Sequence, residues 1–484
     1  MGFDAITSFC GALLLIVAAA ITSPAQTYKV LIDLNETAGS VPYSGVVQGL
    51  DGNLYGTAAN GGANNRGSVV KITPTGTLTT MYSFCAHTNC VDGSIPQGGL
   101  VLGTDGNFYG TTVFGGTGTT FCGSGCGTIF KITPAGALTT LHSFCTGSTC
   151  LDGDQATSAL VQGTDGNFYG TASSGGANSQ GTVFKITPMG TLTTLYAFCS
   201  QTSCADGQSP LAGLIQATNG AFYGTTSHGG ANGYGEVFEI TSSGTLTVVH
   251  SFDNTDGADP TSRLVQGASG TFYGMTQGGG SGTACFGSPC GTIFKMTSAG
   301  VLTTLVSFDN TNGASPEYGG LVQGSDGNFY GTTPGGGANG DEGTIFKITP
   351  AGALTTLYSF CAVSACDDGD GVNSIMQATS GILYGTAAGG GTSSDGVIFS
   401  LTAGLKKFVQ TLPGSGRVGG NIKILGNALT GATAVSFNGT AATFKVVSAS
   451  EITATVPTGA TTGKVSVTTS AGTVISTVGS FRVP

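Results

Sequence analysis

The sequence has few charged residues, no tryptophan and only four histidines. Asp, Glu, Lys and Arg together make up 8% of its 484 residues, against about 25% in an ordinary soluble domain. Because the net charge is −10, the chain lacks the overall basic character typical of nucleic-acid binding proteins. Helical periodicity is absent, and no later stretch could span a bilayer. These absences exclude a helical protein and disfavour nucleic acid as a partner.

Glycine takes the place of the missing charge, with 85 residues. So much glycine would suggest disorder, but 39% of the chain is apolar and the apolar residues follow a strict pattern. A chain of this kind can bury a core.

The N-terminal segment is typical of an export signal. The apolar run GALLLIVAAAIT (11–22) is too short to span a membrane, and the SPAQ that follows puts Ser23 and Ala25 in small-residue cleavage positions. The first ten residues depart from the usual pattern, since they contain Asp4 and no Lys or Arg; either the start is misassigned or the signal is unusual. We predict a signal peptide at residues 1–25 and a secreted or surface-exposed bacterial type of protein.

The cysteines occur as close pairs. Of 13 cysteines, Cys10 falls in the signal, and the other 12 form six pairs, Cys85/Cys90, Cys122/Cys126, Cys145/Cys150, Cys199/Cys204, Cys285/Cys290 and Cys361/Cys366. Zinc sites or unrelated buried thiols are the alternatives, but zinc needs four ligands brought together. Related segments such as FDNTDGADP lack both cysteines at once. Joint loss favours six local disulfides.

A nine-residue phrase, TDGNFYGTT in its second copy, recurs along the chain. Its tyrosine is found at Tyr55, Tyr109, Tyr169, Tyr223, Tyr273, Tyr330 and Tyr384, 50 to 60 residues apart. Each repeat contains four runs rich in Val, Ile, Phe, Tyr and Thr, and in four of the seven copies the first two runs are joined by an Asp-Gly turn. Seven units of four short antiparallel strands predict an all-β, seven-bladed β-propeller.

The two ends of the repeat region complete one another. The outer strand occurs six times between the seven copies, and YKVLIDL (28–34) supplies the missing one beside GVIFSLT (396–402). We therefore predict that an N-terminal strand closes the propeller and removes its free strand edges. We place the propeller at 26–404, a linker at 405–415 and a small β-sandwich at 416–484.

Two stretches resemble known families. GGLVQGSDGNFYGTTPGGGANGDEGTIFKITPAGALTTLYSF (319–360) resembles the GloVer tandem repeat of exported bacterial proteins. The tail GNALTGATAVSFNGTAATFKVVSASEITATVPTGATTGKVSVTTSAG (426–472) resembles the IPT/TIG immunoglobulin-like domain. The resemblances imply a secreted or surface protein, a spacer or adhesion role for the tail, and no enzymatic activity that can be transferred.

The repeated DGN phrase is a poor candidate for a metal site. Asp and Asn oxygens suit calcium, but the loop is too short to supply six ligands, and Asn219, Ser269 and Ser380 replace the aspartate in three copies. Neither a serine elbow nor a zinc or phosphate motif is found. We predict no cofactor, no metal and no catalytic residue.

Residues that break the repeat symmetry concentrate in one region. Glu236 and Glu239 replace the usual Thr and Lys of the third strand, and Arg263 replaces a small residue before an inner strand. His228 and Tyr234 lie on the adjoining loop. A charge exchange or solvated loop residues would explain them structurally. The alternative is that these residues form a binding or catalytic site. Against a catalytic pair, two carboxylates three residues apart on a strand point to opposite faces.

Loop lengths assign the two ends of the strands different roles. The first-to-second and third-to-fourth connections are minimal, whereas the other two are long, variable and carry every cysteine pair. Variable loops on a rigid scaffold are where recognition usually occurs. We therefore expect a non-catalytic protein that binds an extracellular polysaccharide or a surface protein, or serves a structural role. The alternative is a polysaccharide hydrolase or lyase with a site near 228–263.

Overall fold

The computed structural model describes residues 26–118, 122–147, 149–267, 269–285, 287–317, 319–470, 472–475 and 480–484. The predicted signal peptide lies outside the described residues. Within them no helix is long and apolar enough to cross a bilayer.

Between residues 27 and 402 the described chain forms seven four-stranded antiparallel sheets. We number them in chain order and list the strands of each from the inner to the outer edge. Sheet 1 contains Val47–Gln48, Leu54–Ala58, Ser68–Ile72 and Leu78–Ser83; sheet 2 contains Val101–Leu102, Phe108–Thr112, Thr128–Ile132 and Leu138–Ser143; sheet 3 contains Val161–Gln162, Phe168–Ala172, Thr182–Ile186 and Leu192–Ala197. Sheet 4 contains Ile215–Gln216, Phe222–Thr226, Glu236–Ile240 and Leu246–Ser251; sheet 5 contains Val265–Gln266, Phe272–Thr276, Thr292–Met296 and Leu302–Ser307; sheet 6 contains Val322–Gln323, Phe329–Thr333, Thr344–Ile348 and Leu354–Ser359.

Sheet 7 combines strands from both ends of the repeat region. Its inner three strands are Asp370–Gln377, Leu383–Gly389 and Val397–Thr402, and its outer strand is Thr27–Asp33. The outer strand pairs antiparallel with Val397–Thr402, from Thr27 opposite Thr402 to Asp33 opposite Val397. The prediction of an all-β fold of repeated four-stranded sheets resembling propeller blades is confirmed.

The C-terminal part of the chain forms two further sheets. One contains Gln410–Leu412, Asn421–Leu425, Glu451–Thr455 and Phe444–Val446, and the other contains Thr440–Ala442, Ala432–Phe437, Val465–Thr469 and Gly472–Ile475. Side chains from both sheets share one core around Ile424, Val435 and Val467. Gln410–Leu412 belongs to a segment that we predicted as a linker; here it pairs with Asn421–Leu425. Four 3₁₀ turns, Thr88–Cys90, Thr202–Cys204, Ser364–Cys366 and Leu429–Gly431, are the helical elements of the described residues.

The repeated phrase makes the turn between the first two strands of a sheet. In sheet 3, Asp165 Oδ1 accepts a hydrogen bond from Asn167 N at 3.1 Å, and its Oδ2 accepts from Asn167 Nδ2 at 2.7 Å and from the Tyr169 hydroxyl at 2.8 Å. Gly166 between them has φ +83°, which glycine adopts at little cost. The aspartate thus fixes both the turn and the tyrosine.

The same tyrosine joins one sheet to the next. The Tyr169 ring stacks on Phe222 of sheet 4 with centroids 3.9 Å apart. The equivalent contacts elsewhere are Tyr55 on Phe108, Tyr109 on Phe168, Tyr223 on Phe272 and Tyr273 on Phe329. Such ring pairs contribute about 0.5–1.5 kcal/mol beyond the area they bury. Repetition of the phrase therefore has a structural cause.

Glutamines occupy equivalent positions on the inner strands of several sheets. They form a second contact between neighbouring sheets, in addition to the tyrosine ring contact. Gln216 Oε1 accepts a hydrogen bond from Thr164 N of sheet 3 at 2.9 Å, while its Nε2 donates to Gly220 O of its own turn at 3.0 Å. The same kind of contact joins sheet 7 to sheet 1, where Gln48 Oε1 accepts a hydrogen bond from Thr379 N at 2.9 Å.

The sheets have two unlike faces. The tight turns between first and second and between third and outer strands form what we call the hairpin face. The remaining connections form the loop face, at the other end of the strands. Sandwich residues contact the hairpin face, where Ser450 Oγ donates to Leu50 O at 2.6 Å and Leu425 packs in a cluster with Leu50 and Phe108.

Substitution of the repeat tyrosine tests how much its hydrogen bond to the turn aspartate contributes to stability. We expect Tyr169→Phe to lower the free energy of unfolding by about 1 kcal/mol, because the ring stack is kept and only the hydrogen bond to Asp165 is lost. Tyr273→Phe is the matched control, since Ser269 replaces the aspartate there and no carboxylate faces the hydroxyl. Equal losses in chemical denaturation would contradict a role for the Asp–Tyr bond.

Candidate functional site

The loop face is braced by disulfides. All six close cysteine pairs are bonded, each within a single loop. The sulfur atoms of Cys122, Cys126 and Cys145 lie within 4.8 Å of one another, but their engagement in two disulfides leaves no thiolate for a metal.

Not all of these cysteines are at the surface. All six pairs lie in the connections between strands, and three of the bonded cysteines are buried in the described chain, namely Cys126, Cys145 and Cys290. Cys290 is 1% exposed because it lies just before the third strand of sheet 5, where it packs in a core cluster with Ile293. Its carbonyl oxygen also accepts a hydrogen bond from Ser315 N at 2.9 Å. The Cys285–Cys290 disulfide therefore fastens the long loop to the core, and Cys290 itself offers no surface to a partner.

In four of the six cysteine loops, those that follow an outer strand, an aspartate two residues after the second cysteine fixes the loop to that strand. Asp206 Oδ2 accepts hydrogen bonds from Ser200 N at 2.8 Å and from the Tyr196 hydroxyl at 2.7 Å. His142 and His250 take the place of the tyrosine in two sheets, and their Nε2 atoms lie 2.8 Å and 2.7 Å from Asp152 and Asp256. These two histidines are part of the scaffold.

The corresponding loops without cysteines are closed by a side chain instead. Asp253 Oδ1 accepts hydrogen bonds from Thr255 N at 2.9 Å and from Asp256 N at 3.2 Å. Asp309 holds Thr311 and Asn312 in the same way. An Asx turn thus replaces the disulfide. Closure of these loops by an aspartate side chain was not predicted from the sequence, although the Asp-Asn-Thr-Asp/Asn pattern in both copies indicates it.

Glu236 is fully buried in sheet 4. Neither carboxylate oxygen has a hydrogen-bond partner among the described residues. Burial and, next, the nearby Asp206 carboxylate raise the pKa of Glu236 to about 8. The sister residue Thr182 instead donates to Asp152 O at 3.2 Å. Glu236 is therefore a buried carboxyl group that is largely protonated at neutral pH and closed to solvent.

Glu239 lies towards the hairpin face. It pairs with Thr247 on one side and with Tyr223 on the other in the strand register, and its Oε1 accepts a hydrogen bond from Asn219 Nδ2 at 3.4 Å. Because Glu236 is buried at the other end of the strand, the two carboxyl groups do not face a common space and cannot work as an acid–base pair on one substrate.

His228 and Tyr234 are exposed on the loop face. His228 Nδ1 lies 2.8 Å from Ser227 Oγ, and its Nε2 lies 3.7 Å from Asp259 Oδ1. This row of Ser, His and Asp does not form a nucleophile, because Ser227 is buried and its hydroxyl also donates to Ser209 O at 2.9 Å. Tyr234 has 40% of its surface exposed.

Arg263 occupies a distinctive place on the loop-face side of the inner strands. It is the third residue before the recurrent glutamine, and the residues in that place in the other sheets are small, namely Gly45, Gly99, Ala159, Gly213, Gly320 and Ser374. We call these seven positions the inner rim. Arg263 is exposed to solvent.

The structure therefore separates the five candidate residues. Three of them, His228, Tyr234 and Arg263, are exposed on the loop-face side. Glu236 is enclosed beneath that face, and Glu239 lies away from it. None of the five is hydrogen-bonded or ion-paired to another within the part of the chain that the structure describes.

One cavity lies away from these candidates. Its volume is about 410 Å³, and it is lined by turns of sheets 1 and 7 and by Gly426, Asn427 and Ser450 of the sandwich. It is thus a gap between the hairpin face and the sandwich, with two carboxylate oxygens of Asp51 as its charged lining, and it contains no pair of groups suited to catalysis.

Comparisons with known proteins agree with the repeat architecture. The sequence profile of the Gloeobacter/Verrucomicrobia repeat matches residues 17–216 and 200–399, which confirms the resemblance to the GloVer repeats. No curated protein matches the sequence.

Solved structures share the fold at low identity. Two are named as extracellular domains of hybrid two-component systems of B. thetaiotaomicron; both have a TM-score of 0.50 and 11% identity. The alignments cover 84% of this chain and 46% of the first, and 94% of this chain and 58% of the second. The chain thus spans about half the length of these structures. A gluconolactonase of Xanthomonas campestris has 11% identity over 77% of this chain and 100% of its own, but its TM-score of 0.39 supports no argument.

Replacing Glu236 by its sister residue tests the buried carboxyl group. Folding favours the protonated form, whose pKa is about 8 against an ordinary 4.5, so stability should fall as pH rises between these values. We expect Glu236→Thr to gain roughly 2–4 kcal/mol over the wild type between pH 5 and pH 9. Glu239→Lys, also a sister residue, is the control. Parallel curves for the wild type and Glu236→Thr in denaturation across pH would contradict the assignment.

Peptide mapping tests the disulfide framework. Digestion without reduction should yield six linked pairs, each joining cysteines four or five residues apart. The cluster of Cys122, Cys126 and Cys145 provides the strictest test of local pairing, because sulfur atoms of two loops are neighbours there. A Cys126–Cys145 crosslink in the native protein would contradict the local pairing.

Proposed function

We propose that this chain, which belongs to the Gloeobacter/Verrucomicrobia repeat family, is a non-catalytic extracellular protein that binds a polymer or a surface partner through its loop face. The observation that carries this proposal is the unequal use of the two faces. Sandwich residues occupy turns of the hairpin face, whereas within the described residues they make no hydrogen bond to the loop face. The loop face is left for a partner.

Disulfide bracing supports recognition by the same face. The six disulfides all lie in its loops or at the bases of those loops. Loops that are already ordered lose little conformational entropy when a partner binds, so a given contact area yields more affinity. Disulfides of this number also fit an oxidising compartment outside the cytoplasm. The fold shared with domains named as extracellular parts of two-component systems is consistent with that location.

The architecture that we propose is a closed seven-bladed propeller followed by an IPT/TIG-type sandwich. Glutamine hydrogen bonds join sheets 2 to 5 in order, sheet 6 to sheet 7 and sheet 7 to sheet 1. Ring contacts join sheet 1 to sheet 2 and sheet 5 to sheet 6, and together these contacts support the closure. We place the propeller at 26–404 and the sandwich at 416–484, with the signal peptide at 1–25 directing secretion. The strand Gln410–Leu412 favours moving the start of the sandwich to about residue 409, since Val409 is part of the sandwich core.

A polysaccharide hydrolase or lyase near 228–263 gains no support from the geometry. It would need two carboxyl groups on either side of one bond, and Glu236 is closed to solvent while Glu239 lies elsewhere. Turnover of a glycan that is abolished by Glu236→Gln or Glu239→Gln would overturn the non-catalytic proposal.

Blocking each face of sheet 3 tests the binding proposal. The full chain is screened against immobilised polysaccharides, and binding is compared between Ser174→Trp on the loop face and Met189→Trp on the hairpin face. Position 174 accepts an aromatic side chain, since Phe114 is its equivalent in sheet 2, and Met189 is 87% exposed. We expect Ser174→Trp to weaken binding at least about tenfold and Met189→Trp to leave it unchanged.

Reduction provides an independent check of the same face. With dithiothreitol added, we expect the affinity to fall while circular dichroism shows the sheets intact. Binding that survives both reduction and Ser174→Trp, or that is lost with Met189→Trp alone, would contradict a loop-face site.

A further inference from the structure

The inner rim carries one charge. Of its seven residues, Gly45, Gly99, Ala159, Gly213, Arg263, Gly320 and Ser374, six are small and uncharged. They approach one another from sheet to sheet, since a Cβ atom on Gly45 would lie 2.6 Å from Ser374 Oγ and one on Gly99 would lie 3.6 Å from Ala159 Cβ. The rim thus follows the opening between the inner strands, and Gly45 is small because a Cβ atom there would be too close to Ser374.

The Arg263 side chain extends along this rim. A Cβ atom on Gly320 of sheet 6 would lie 3.5 Å from Arg263 Cβ, and one on Gly213 of sheet 4 would lie 3.7 Å from Arg263 Cδ. The side chain therefore passes the inner edges of both neighbouring sheets, and its guanidinium lies in the opening rather than between packed sheets.

This guanidinium has no counter-ion. Within the residues that the structure describes, no carboxylate lies within salt-bridge distance of it. The acidic residues of the nearby loops have other partners, since Asp259 faces His228 and Glu317 accepts a hydrogen bond from Gln277 Nε2. An exposed cation of this kind incurs no burial cost, and its unpaired N–H donors are available to an anionic group of a ligand.

We propose that Arg263 binds an acidic group of a polysaccharide, a uronate carboxylate or a sulfate ester, at the loop-face end of the opening. The guanidinium offers a planar pair of N–H donors that matches both groups. This inference rests on the loop-face binding function and names its substrate class.

Three polymers of one general type test the inference. The Kd of the full chain is measured for polygalacturonate, dextran sulfate and uncharged dextran. We expect binding to one or both acidic polymers and none to dextran; which of the two binds more tightly identifies the carboxylate or the sulfate as the ligand. Equal affinity for dextran would overturn the inference.

Variants of Arg263 then locate the contact. Arg263→Gly introduces the residue of Gly213 and Gly320, so we expect it to fold, and we expect the affinity for the acidic polymer to fall at least about tenfold. Arg263→Lys keeps the positive charge but lacks the paired N–H donors, so we expect its affinity to lie between those of the wild type and Arg263→Gly. Arg66→Gln is the control, because it removes an exposed charge from the loop face at the connection of sheet 1 that spans 59–67.

The outcomes separate this inference from the function on which it rests. If Ser174→Trp abolishes binding while Arg263→Gly and Arg263→Lys bind like the wild type, the loop-face function stands and the role of Arg263 is wrong. If neither Ser174→Trp nor Arg263→Gly has an effect, the loop-face function itself fails. If Arg66→Gln and Arg263→Gly lowered the affinity for the acidic polymer equally, the effect would be due to net charge alone, and the inference would be overturned.

Discussion

Stacking of the repeat tyrosine on the phenylalanine of the next sheet is the contact on which the rest of the structure depends. Each sheet is too small to bury its own surfaces. In sheets 2 to 6 a phenylalanine meets the tyrosine of the preceding sheet, and Leu54 and Leu383 occupy that position in sheets 1 and 7. The aspartate of the turn holds the tyrosine hydroxyl, and this links a local turn to a long-range contact. The same demand in every sheet explains why the phrase is repeated so closely.

Such repetition divides the molecule between scaffold and recognition. Side chains on the strands are constrained by two neighbouring sheets, whereas loops at one end are constrained only at their bases. The chain braces those loops with disulfides or, in two places, with an Asx turn. It places a second domain against the opposite face. Variation therefore accumulates on the loop face without a cost to the packing between sheets.

Departures from the repeat do not all have the same meaning. Glu236 and Arg263 both put a charged residue where sister sheets have an uncharged one. Glu236 is enclosed between a disulfide loop and a strand, where its carboxyl group meets no partner. Arg263 is exposed at the inner rim, beside small residues of the neighbouring sheets. One departure is thus buried and the other is exposed, although the repeat pattern alone treats them alike.

The sequence by itself determined the strands, the turns and the sharing of the last sheet between the two ends of the chain, because periodicity, turn residues and repeat length are local properties. Cysteine spacing likewise predicted six pairs that the structure joins. Only the tertiary structure decided that the sandwich occupies the hairpin face, that Gln410–Leu412 pairs within the sandwich, that Glu236 and Cys290 are buried and that Arg263 lies in the opening. Each of these depends on how distant elements pack, and a linear pattern carries no information about the space between them.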